Sequence, residues 1–249
     1  MFSLYKRFFA SSSFGLDIRD ESIRYVKLLK DGGDMTTKSH GEIQIPEGVI
    51  EAGVVKDKKK FEEILKSLQK KEGIKSARVY MLDGKEYVSI FKNAGINAIT
   101  FESRAVSIAR CVIKKGDADA CVIVDFGKTH TGVFMVLGSD VFAVSFLDTG
   151  ADTEREKIAD ELVKYLLCWH TRLDKEGKMR HRIKKIVLCG DGENLEELAS
   201  YLSVKMKTKV NIANVWVNIL DTEKHTPEMS FDESLPYASA MGLALGGFR

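Results

Sequence analysis

The feature that most constrains the fold is a strand, an aspartate turn and a second strand, a pattern that occurs twice. In the first copy, residues 14–17 end at an aspartate, and the chain leaves the turn through residues 22–28. Residues 121–125 and 131–136 repeat this arrangement in the second copy. Each copy continues into an alternating segment and then into apolar residues at helical spacing, which predicts a duplicated α/β protein.

Three patterns outside the two turns predict further core elements. Residues 57–71 place apolar side chains at helical spacing between Lys and Glu clusters, and Gly73 supplies a stop. The apolar run 185–189 predicts a buried strand, which a glycine turn and a helix follow. The alanine-rich residues 235–245 predict a closely packed helix that ends at a Gly-Gly pair.

The charges and the apolar runs limit the classes of function that this chain can have. Lys and Arg number 38 and Asp and Glu number 36, a formal net charge of +2, so we predict no nucleic-acid partner. No apolar run approaches the roughly 20 residues of a membrane span, and the N-terminus lacks a signal-peptide core. These observations predict a cytoplasmic protein.

The four cysteines are scattered and lack a C-x-x-C spacing, so we interpret them as reduced thiols of the core: Cys111, Cys121, Cys168 and Cys189. The five histidines form no H-E-x-x-H pair, and no serine lies in a G-x-S-x-G elbow. These motifs therefore give no positive evidence of hydrolytic catalysis.

The first residues form a separate segment. Residues 1–9 place aromatic side chains around Lys6 and Arg7, and three serines follow. We interpret residues 1–13 as an N-terminal arm with a flexible serine joint. The alternative is a contact with a membrane or a partner, in which the rings are buried and the cations meet lipid phosphates.

The turn after Asp125 has the residue types of a phosphate site. Gly127 allows a tight hairpin whose N–H groups point at a phosphate, Thr129 adds a hydroxyl, and Lys128 neutralises phosphate charge. Asp125 is predicted to hold a hydrated Mg²⁺ ion, which takes few carboxylates and several waters. The alternative is an ordinary hairpin with Asp and Gly at its turn.

The turn after Asp17 is less suited to phosphate. Arg19 stands where a glycine would let the backbone approach a ligand, and Asp20 and Glu21 add negative charge. These two acids would repel a triphosphate unless Mg²⁺ or Arg19 intervened.

A third glycine turn lies between the strand 185–189 and its helix. Gly190 and Gly192 permit the close approach of a ligand, and the helix N-terminus attracts an anion or packs under a purine. Asp191 opposes an anion. The alternative is a loop in which Asp191 or Asn194 caps the helix.

These segments resemble the motifs of actin-like ATPases. Residues 14–18 with 22–27 resemble the first phosphate motif, and residues 122–131 resemble the second. Residues 186–192 are similar to the adenosine motif, and residues 236–245 to the closing helix. The resemblance implies an actin-like, ribonuclease H-like core of mixed sheets flanked by helices, with two lobes at 14–115 and 116–249.

Within that superfamily, residues 91–102 favour a resemblance to the PilM-like component of type IV pilus assembly. Such proteins bind ATP and dock the cytoplasmic tail of an inner-membrane partner, PilN. The resemblance implies ATP with Mg²⁺ as cofactor and these nucleotide-binding residues: Asp17, Ser22, Asp125, Gly127, Lys128, Thr129, Gly190 and Gly192.

The chain is predicted to be a shortened form, because residues 82–85 stand where an inserted subdomain is expected, and the stretch between Gly150 and Ile158 is also short. The predicted function is a non-enzymatic scaffold at the cytoplasmic face of a pilus or related secretion machine. It would be held at the membrane by its partner or by residues 1–9. The alternatives are an FtsA-like division scaffold and a small-molecule kinase of the same superfamily.

Overall fold

A computed structural model describes residues 11–31, 34–81, 87–138, 140–150, 153–171, 181–192, 194–220 and 226–248. Its contacts divide the chain into two compact units. One unit comprises the described residues of Met1–Val112 and Val215–Arg249, and the other comprises those of Ile113–Asn214.

The first unit is built on a five-stranded mixed sheet. Strand β1 pairs antiparallel with β2 and parallel with β6, and the complete order is β3-β2-β1-β6-β7. The strands are β1 Ser11–Ile18, β2 Ser22–Asp31, β3 Asp34–Gln44, β6 Ser76–Tyr80 and β7 Asn97–Phe101, with a small hairpin of β4 Ile50–Glu51 and β5 Val54–Val55. The helices are α1 Lys58–Glu72, α2 Val88–Asn93, α3 Arg104–Val112, α6 Phe231–Ser234 and α7 Ala238–Leu245.

The second unit repeats this sheet. Strand β8 pairs antiparallel with β9 and parallel with β11, in the order β10-β9-β8-β11-β12. The strands are β8 Ala120–Phe126, β9 Thr131–Leu137, β10 Asp140–Leu147, β11 Lys185–Gly190 and β12 Lys209–Ile212. The helices are α4 Arg155–Thr171 and α5 Leu195–Met206. The two sheets have the same strand directions, which confirms the predicted duplicated α/β core of mixed sheets.

Helix α1 forms where the sequence predicts it. The Asp57 side chain accepts a hydrogen bond from the Lys60 amide at its start, and Gly73 ends it in the left-handed conformation with φ of 64°. Phe61, Leu65 and Leu68 are buried against the first sheet. The amphipathic pattern therefore directs one face of this helix into the core.

Helix α7 belongs to the first unit. A Cβ atom at Gly15 of β1 would lie 2.0 Å from the Ala240 carbonyl oxygen, so only glycine allows this strand to meet the helix. Gly242 is equally close to α3, because its Cβ atom would lie 1.8 Å from the Ser107 carbonyl oxygen. The proposed second lobe at 116–249 thus differs from the structure after residue 214, because α7 packs on β1 and α3.

Several local predictions differ from the structure. Ser11 to Ser13 form the start of β1, paired with β2, and not a flexible joint, because strand pairing satisfies their backbone groups. Cys168 is exposed, whereas the other three cysteines are buried as predicted. The last helix begins at Ala238 after a 3₁₀ turn at Leu235–Tyr237 that contains Pro236.

Two strands, β7 and β12, lie at sheet edges and were not predicted. Two predictions lie outside the described residues: the arm at residues 1–9 and the shortened insertion at 82–85. Among the helices that the structure describes, none has the length and apolar character to cross a membrane.

Candidate functional site

The turn between β8 and β9 is a tight loop next to a buried carboxylate. The Gly127 amide donates a hydrogen bond to the His130 carbonyl oxygen at 3.0 Å and closes the turn. Asp125, 3% exposed, lies near the end of β8. Its neighbours across the sheet are Gly132 on β9 and Cys189 on β11. The carboxylate therefore lies at the end of the central strand, three residues before the exposed part of the turn, which begins at Lys128.

Two glycines from elsewhere in the unit pack against this strand and its turn. A Cβ atom at Gly150 would lie 1.9 Å from the Lys128 carbonyl oxygen, so position 150 must lack a side chain. A Cβ atom at Gly190 would lie 2.1 Å from the Phe126 carbonyl oxygen and 2.9 Å from Oδ1 of Asp125. Any side chain at residue 190 would thus crowd the carboxylate and displace the strand.

Hydroxyl groups surround the same turn. Thr131 Oγ1 donates to the Thr149 carbonyl oxygen at 2.6 Å and anchors the segment that leads to Gly150. Thr149 is 6% exposed, and its own hydroxyl has no hydrogen-bond partner among the described residues. Thr129 Oγ1 lies 2.9 Å from His130 Nδ1 on the exposed side. Desolvating a hydroxyl without a partner costs free energy, so the Thr149 group marks a place for a ligand or water.

The glycine turn at residues 190–192 contacts the second phosphate motif at Phe126. Gly190 adopts φ of 97°, and the next amide, of Asp191, donates to the Phe126 carbonyl oxygen at 2.8 Å. A Cβ atom at Gly192 would lie 2.4 Å from Leu195 at the start of α5. Asn194 precedes α5 in the left-handed conformation and makes no side-chain capping hydrogen bond, so the predicted cap by this residue is wrong.

The first turn has its own counterions. Arg19 places Nη2 at 3.1 Å and Nε at 3.3 Å from Oδ2 of Asp17, which is 0% exposed. The Asp20 carboxylate accepts the amides of Ala52 at 2.6 Å and Gly53 at 2.8 Å in the hairpin between β4 and β5. Arg19, at the position where a glycine would let a ligand approach, thus pairs with Asp17, and Asp20 holds a neighbouring hairpin.

The predicted site residues fall into two groups. Six of them lie together in the second unit: Asp125, Gly127, Lys128, Thr129, Gly190 and Gly192. Asp17 and Ser22 lie in the first unit, at the turn between β1 and β2. Thr149 and Gly150 were not predicted as site residues. Their only sequence signal is a Thr-Gly pair after the second meander, whereas their contacts join residues about 20 positions apart.

The residues of the second turn fit a phosphate group. Lys128 and Thr129 are exposed and offer a cation and a hydroxyl, and Thr149 adds its unpartnered hydroxyl. Magnesium is usually held by one or two carboxylates together with phosphate oxygens and water. Asp125 supplies one carboxylate, and no group of three His, Cys, Asp or Glu side chains in the described ranges could hold a metal alone. The donor set therefore fits a metal held mainly through phosphate.

The buried thiols are poorly suited to nucleophilic roles. Burial raises the pKa of Cys121 to about 12, against an ordinary value near 9. Burial also raises the pKa of Cys111 well above its ordinary value. Since the thiolate is the nucleophile, these cysteines are unreactive core groups at neutral pH.

No protein-family model and no curated protein matches the sequence. Solved structures do match. A chain of a PilM-PilN type IV pilus biogenesis complex is 14% identical, with a TM-score of 0.75 over 95% of this chain and 98% of that one. With so much of that chain covered, the comparison does not support the prediction of a shortened form.

Two other solved structures share the fold. The ethanolamine utilization protein EutJ from Carboxydothermus hydrogenoformans is 15% identical, with a TM-score of 0.62 over 94% of this chain and 90% of that one. A chain of an AlfA filament bound to AMPPNP is 16% identical, with a TM-score of 0.57 over 94% and 95%. The chain therefore has the actin-like α/β fold that the sequence motifs predict.

Proposed function

We propose that this chain is a cytoplasmic, nucleotide-binding scaffold of a type IV pilus or related secretion machine, and that ATP is its structural ligand. The observation that carries the proposal is the similarity, over nearly the whole length of both chains, to a chain of the PilM-PilN complex. The fold alone does not select this role, because actin-like cores serve several functions. The chemistry of the second turn supplies the independent argument.

The nucleotide part of the proposal rests on the turn after Asp125. Its glycine, its exposed lysine and its threonine hydroxyls are the groups that a phosphate chain contacts. The unpartnered Thr149 hydroxyl beside the turn is the strongest sign of a ligand, because its desolvation is otherwise uncompensated. When bound, Mg²⁺ would neutralise phosphate charge next to Asp125.

The scaffold part rests on the comparison with PilM. A pilus scaffold would dock the cytoplasmic tail of a bitopic inner-membrane protein similar to PilN, which would hold the chain at the inner face of the membrane. Nucleotide would then stabilise the folded chain by an amount that increases with the logarithm of its concentration above Kd, without turnover.

The nucleotide proposal predicts saturable binding of Mg·ATP that depends on Asp125. We expect Asp125→Asn to weaken binding about tenfold or more, because the variant removes the carboxylate that we propose for the metal. Isothermal titration calorimetry measures this, and an assay of released ADP measures turnover, which we expect to be absent.

Asp160→Asn is the matched control, because Asp160 is an exposed carboxylate on α4 that is paired with Lys205. We expect wild-type affinity in this variant. A wild-type chain that binds no nucleotide at millimolar concentration would overturn the nucleotide proposal. Steady release of ADP would overturn the non-enzymatic role.

A further inference from the structure

Exposed cations gather where two parallel strands of the second unit begin. Arg182 and Lys184 precede β11, while Lys207 precedes β12 and Lys209 is its first residue. The two strands run side by side, with Lys185 opposite Lys209, so these starts lie at one end of the sheet. None of the four exposed cations forms an ion pair with an acid in the described part of the chain. We call Arg182, Lys184, Lys207 and Lys209 the basic edge.

The acids beside the basic edge leave most of its charge uncompensated. Asp117 is already engaged by Lys185. Asp119 is exposed and precedes Ala120, whose carbonyl oxygen accepts the Lys184 amide at 2.8 Å. Four cations thus adjoin one exposed, unpaired acid, and the local potential is positive although the whole chain has a formal net charge of only +2.

Lys207 holds its cation in a strained backbone conformation. It is the C-cap of α5 and lies in the left-handed region, with φ of 48° and ψ of 39°. Glycine or asparagine is usual at such a position, because a Cβ atom crowds the backbone there. A lysine at this position lowers stability, which indicates a role for its charge.

An apolar side chain lies beside this cation. Val204 is 81% exposed on the last turn of α5, three residues before Lys207. Residues three apart lie on the same side of a helix. A single exposed apolar residue is common on soluble proteins, but next to clustered cations it forms an amphipathic surface.

The chemistry of these cations favours a lipid surface over a protein or a nucleic acid. Three of the four are lysines, whose ammonium is a compact, hydrated point charge, whereas arginine is the residue that matches carboxylates in a fork. Residues 203–210 contain no aromatic ring on which a base could stack. Point charges spread over two strand ends suit the diffuse negative charge of anionic headgroups.

We propose that the basic edge and Val204 bind the surface of an anionic phospholipid membrane. The proposal rests on the proposed scaffold role for the location of the chain beside a membrane, but the contact itself needs neither nucleotide nor partner. The basic edge lies at the start of β11, whereas Gly190 ends this strand of 6 residues. That separation is roughly 17 Å, so lipid binding leaves the turn after Asp125 open.

Co-sedimentation of the full chain with vesicles tests the proposal. We expect pelleting with equal parts of phosphatidylcholine and phosphatidylglycerol, none with phosphatidylcholine alone, and a weaker interaction in added salt. Lys207→Gly should weaken binding about fivefold, and its combination with Lys184→Gln and Lys209→Gln about a hundredfold, because each lysine near the surface adds about fivefold. A wild-type chain that does not pellet with the anionic vesicles at low salt would overturn the proposal.

Lys207→Gly also separates a binding role from a structural one. Glycine removes the backbone strain, so we expect this variant to unfold at the wild-type temperature or above it while it binds lipid less well. Its affinity for Mg·ATP should equal that of the wild type, so loss of the lipid contact is distinguishable from failure of the nucleotide proposal. Lipid binding that stays unchanged in both the single and the triple variant would contradict the role of the basic edge.

A matched triple variant removes the same charge from the first unit. Lys59→Gln, Lys70→Gln and Lys75→Gln change three exposed lysines. We expect this variant to pellet as the wild type does. An equal loss of binding in the two triple variants would show an effect of net charge alone and would overturn the proposal.

A fluorescent side chain tests the apolar contact. We expect the emission of Val204→Trp to shift to shorter wavelength with the anionic vesicles, because the indole ring enters the headgroup region. Ile99→Trp is the control, since Ile99 is 59% exposed on β7 in the first unit, and its emission should not change. The same shift at both positions, or none at Val204→Trp, would overturn the proposed contact.

Residues 1–9, with Lys6 and Arg7, are the competing membrane contact. Pelleting that Lys6→Gln with Arg7→Gln abolishes, and that the triple variant of the basic edge leaves intact, would assign the lipid to that segment and overturn the proposal. A wild-type chain that binds polyglutamate or double-stranded DNA but not the anionic vesicles would also overturn it, because the basic edge would then serve a protein or a nucleic acid.

Discussion

Asp17 and Asp125 occupy equivalent positions in the two sheets but have different neighbours. On the antiparallel side, Asp17 lies opposite Arg24 and Asp125 lies opposite Gly132. Arg19 pairs with the first carboxylate, whereas the second lies beside the backbone of Gly190 and has Cys189 Sγ at 3.9 Å from its Oδ1. One aspartate is therefore paired with a cation of its own turn, and the other is buried between β9 and β11.

A different aspartate of the second unit links stability to pH. Lys185 donates a hydrogen bond to Asp117, which lowers the pKa of that carboxyl below its ordinary value, and the Asp119 amide adds to the effect. The same bond raises the pKa of Lys185 in spite of its partial burial, which acts in the opposite direction. Both shifts favour the charged pair in the folded state.

The pair predicts a loss of stability in acid. Because the folded carboxyl has the lower pKa, its contribution is complete above the unfolded value near 4 and disappears as pH falls through the folded value. We expect Asp117→Asn to cost about 1 kcal/mol of unfolding free energy at pH 7 and much less at pH 2. Urea unfolding at both pH values measures this.

Asp119→Asn is the control for that measurement, because Asp119 is exposed and engages Asp117 through its backbone. We expect this variant to differ from the wild type by less than about 0.5 kcal/mol at pH 7. An equal loss for Asp117→Asn at pH 7 and pH 2 would contradict the assignment.

At the scale of elements, helix α7 depends on the absence of side chains at its contacts. Gly242 meets the backbone of Ser107 on α3, and a backbone contact cannot be relieved by a rotamer change. Alanine at this position must push the two helices apart, although alanine is the better helix former.

The contact predicts that Gly242→Ala destabilises the first unit by about 1 to 3 kcal/mol or more. Ser200→Ala on the exposed face of α5 is the control and should change stability by less than about 0.5 kcal/mol. Thermal unfolding followed by circular dichroism compares the two variants. A Gly242→Ala chain as stable as the wild type would show that α7 does not pack as closely as described.

The edge strands show what a local pattern misses. Strand β12, Lys209–Ile212, has only 4 residues and a mixture of exposed and half-buried positions. Strand β7 has no fully buried residue in its 5 positions. Neither has the clean alternation from which strands are predicted, so each exists because the neighbouring strand offers a free edge.

At the scale of the whole molecule, the two units differ in how the chain forms them. The second unit is continuous in sequence, and the first requires residues that follow it. We expect a fragment of residues 113–214 to fold alone with a cooperative thermal transition. A fragment of residues 11–112 should lack one, because the face of β1 at Gly15 loses α7.

Adding residues 215–248 to the fragment of residues 11–112 through a short linker should restore a cooperative transition. Circular dichroism melting curves of the three fragments test this. A cooperative transition of residues 11–112 without the C-terminal segment would contradict the described role of α7.

The sequence by itself determined the elements whose signals are local. Strand periodicity and the aspartate turns placed β1, β2, β8 and β9, and the amphipathic spacing with the stop at Gly73 placed α1, because these signals act over a few neighbouring positions. The tertiary structure alone decided the placement of α7 in the first unit, the contact of Gly150 with the turn and the exposure of Cys168. The first two depend on residues that are distant in the chain and close in space, so no window of sequence contains both partners. The exposure of Cys168 follows from which side of α4 faces the sheet, which the packed unit decides.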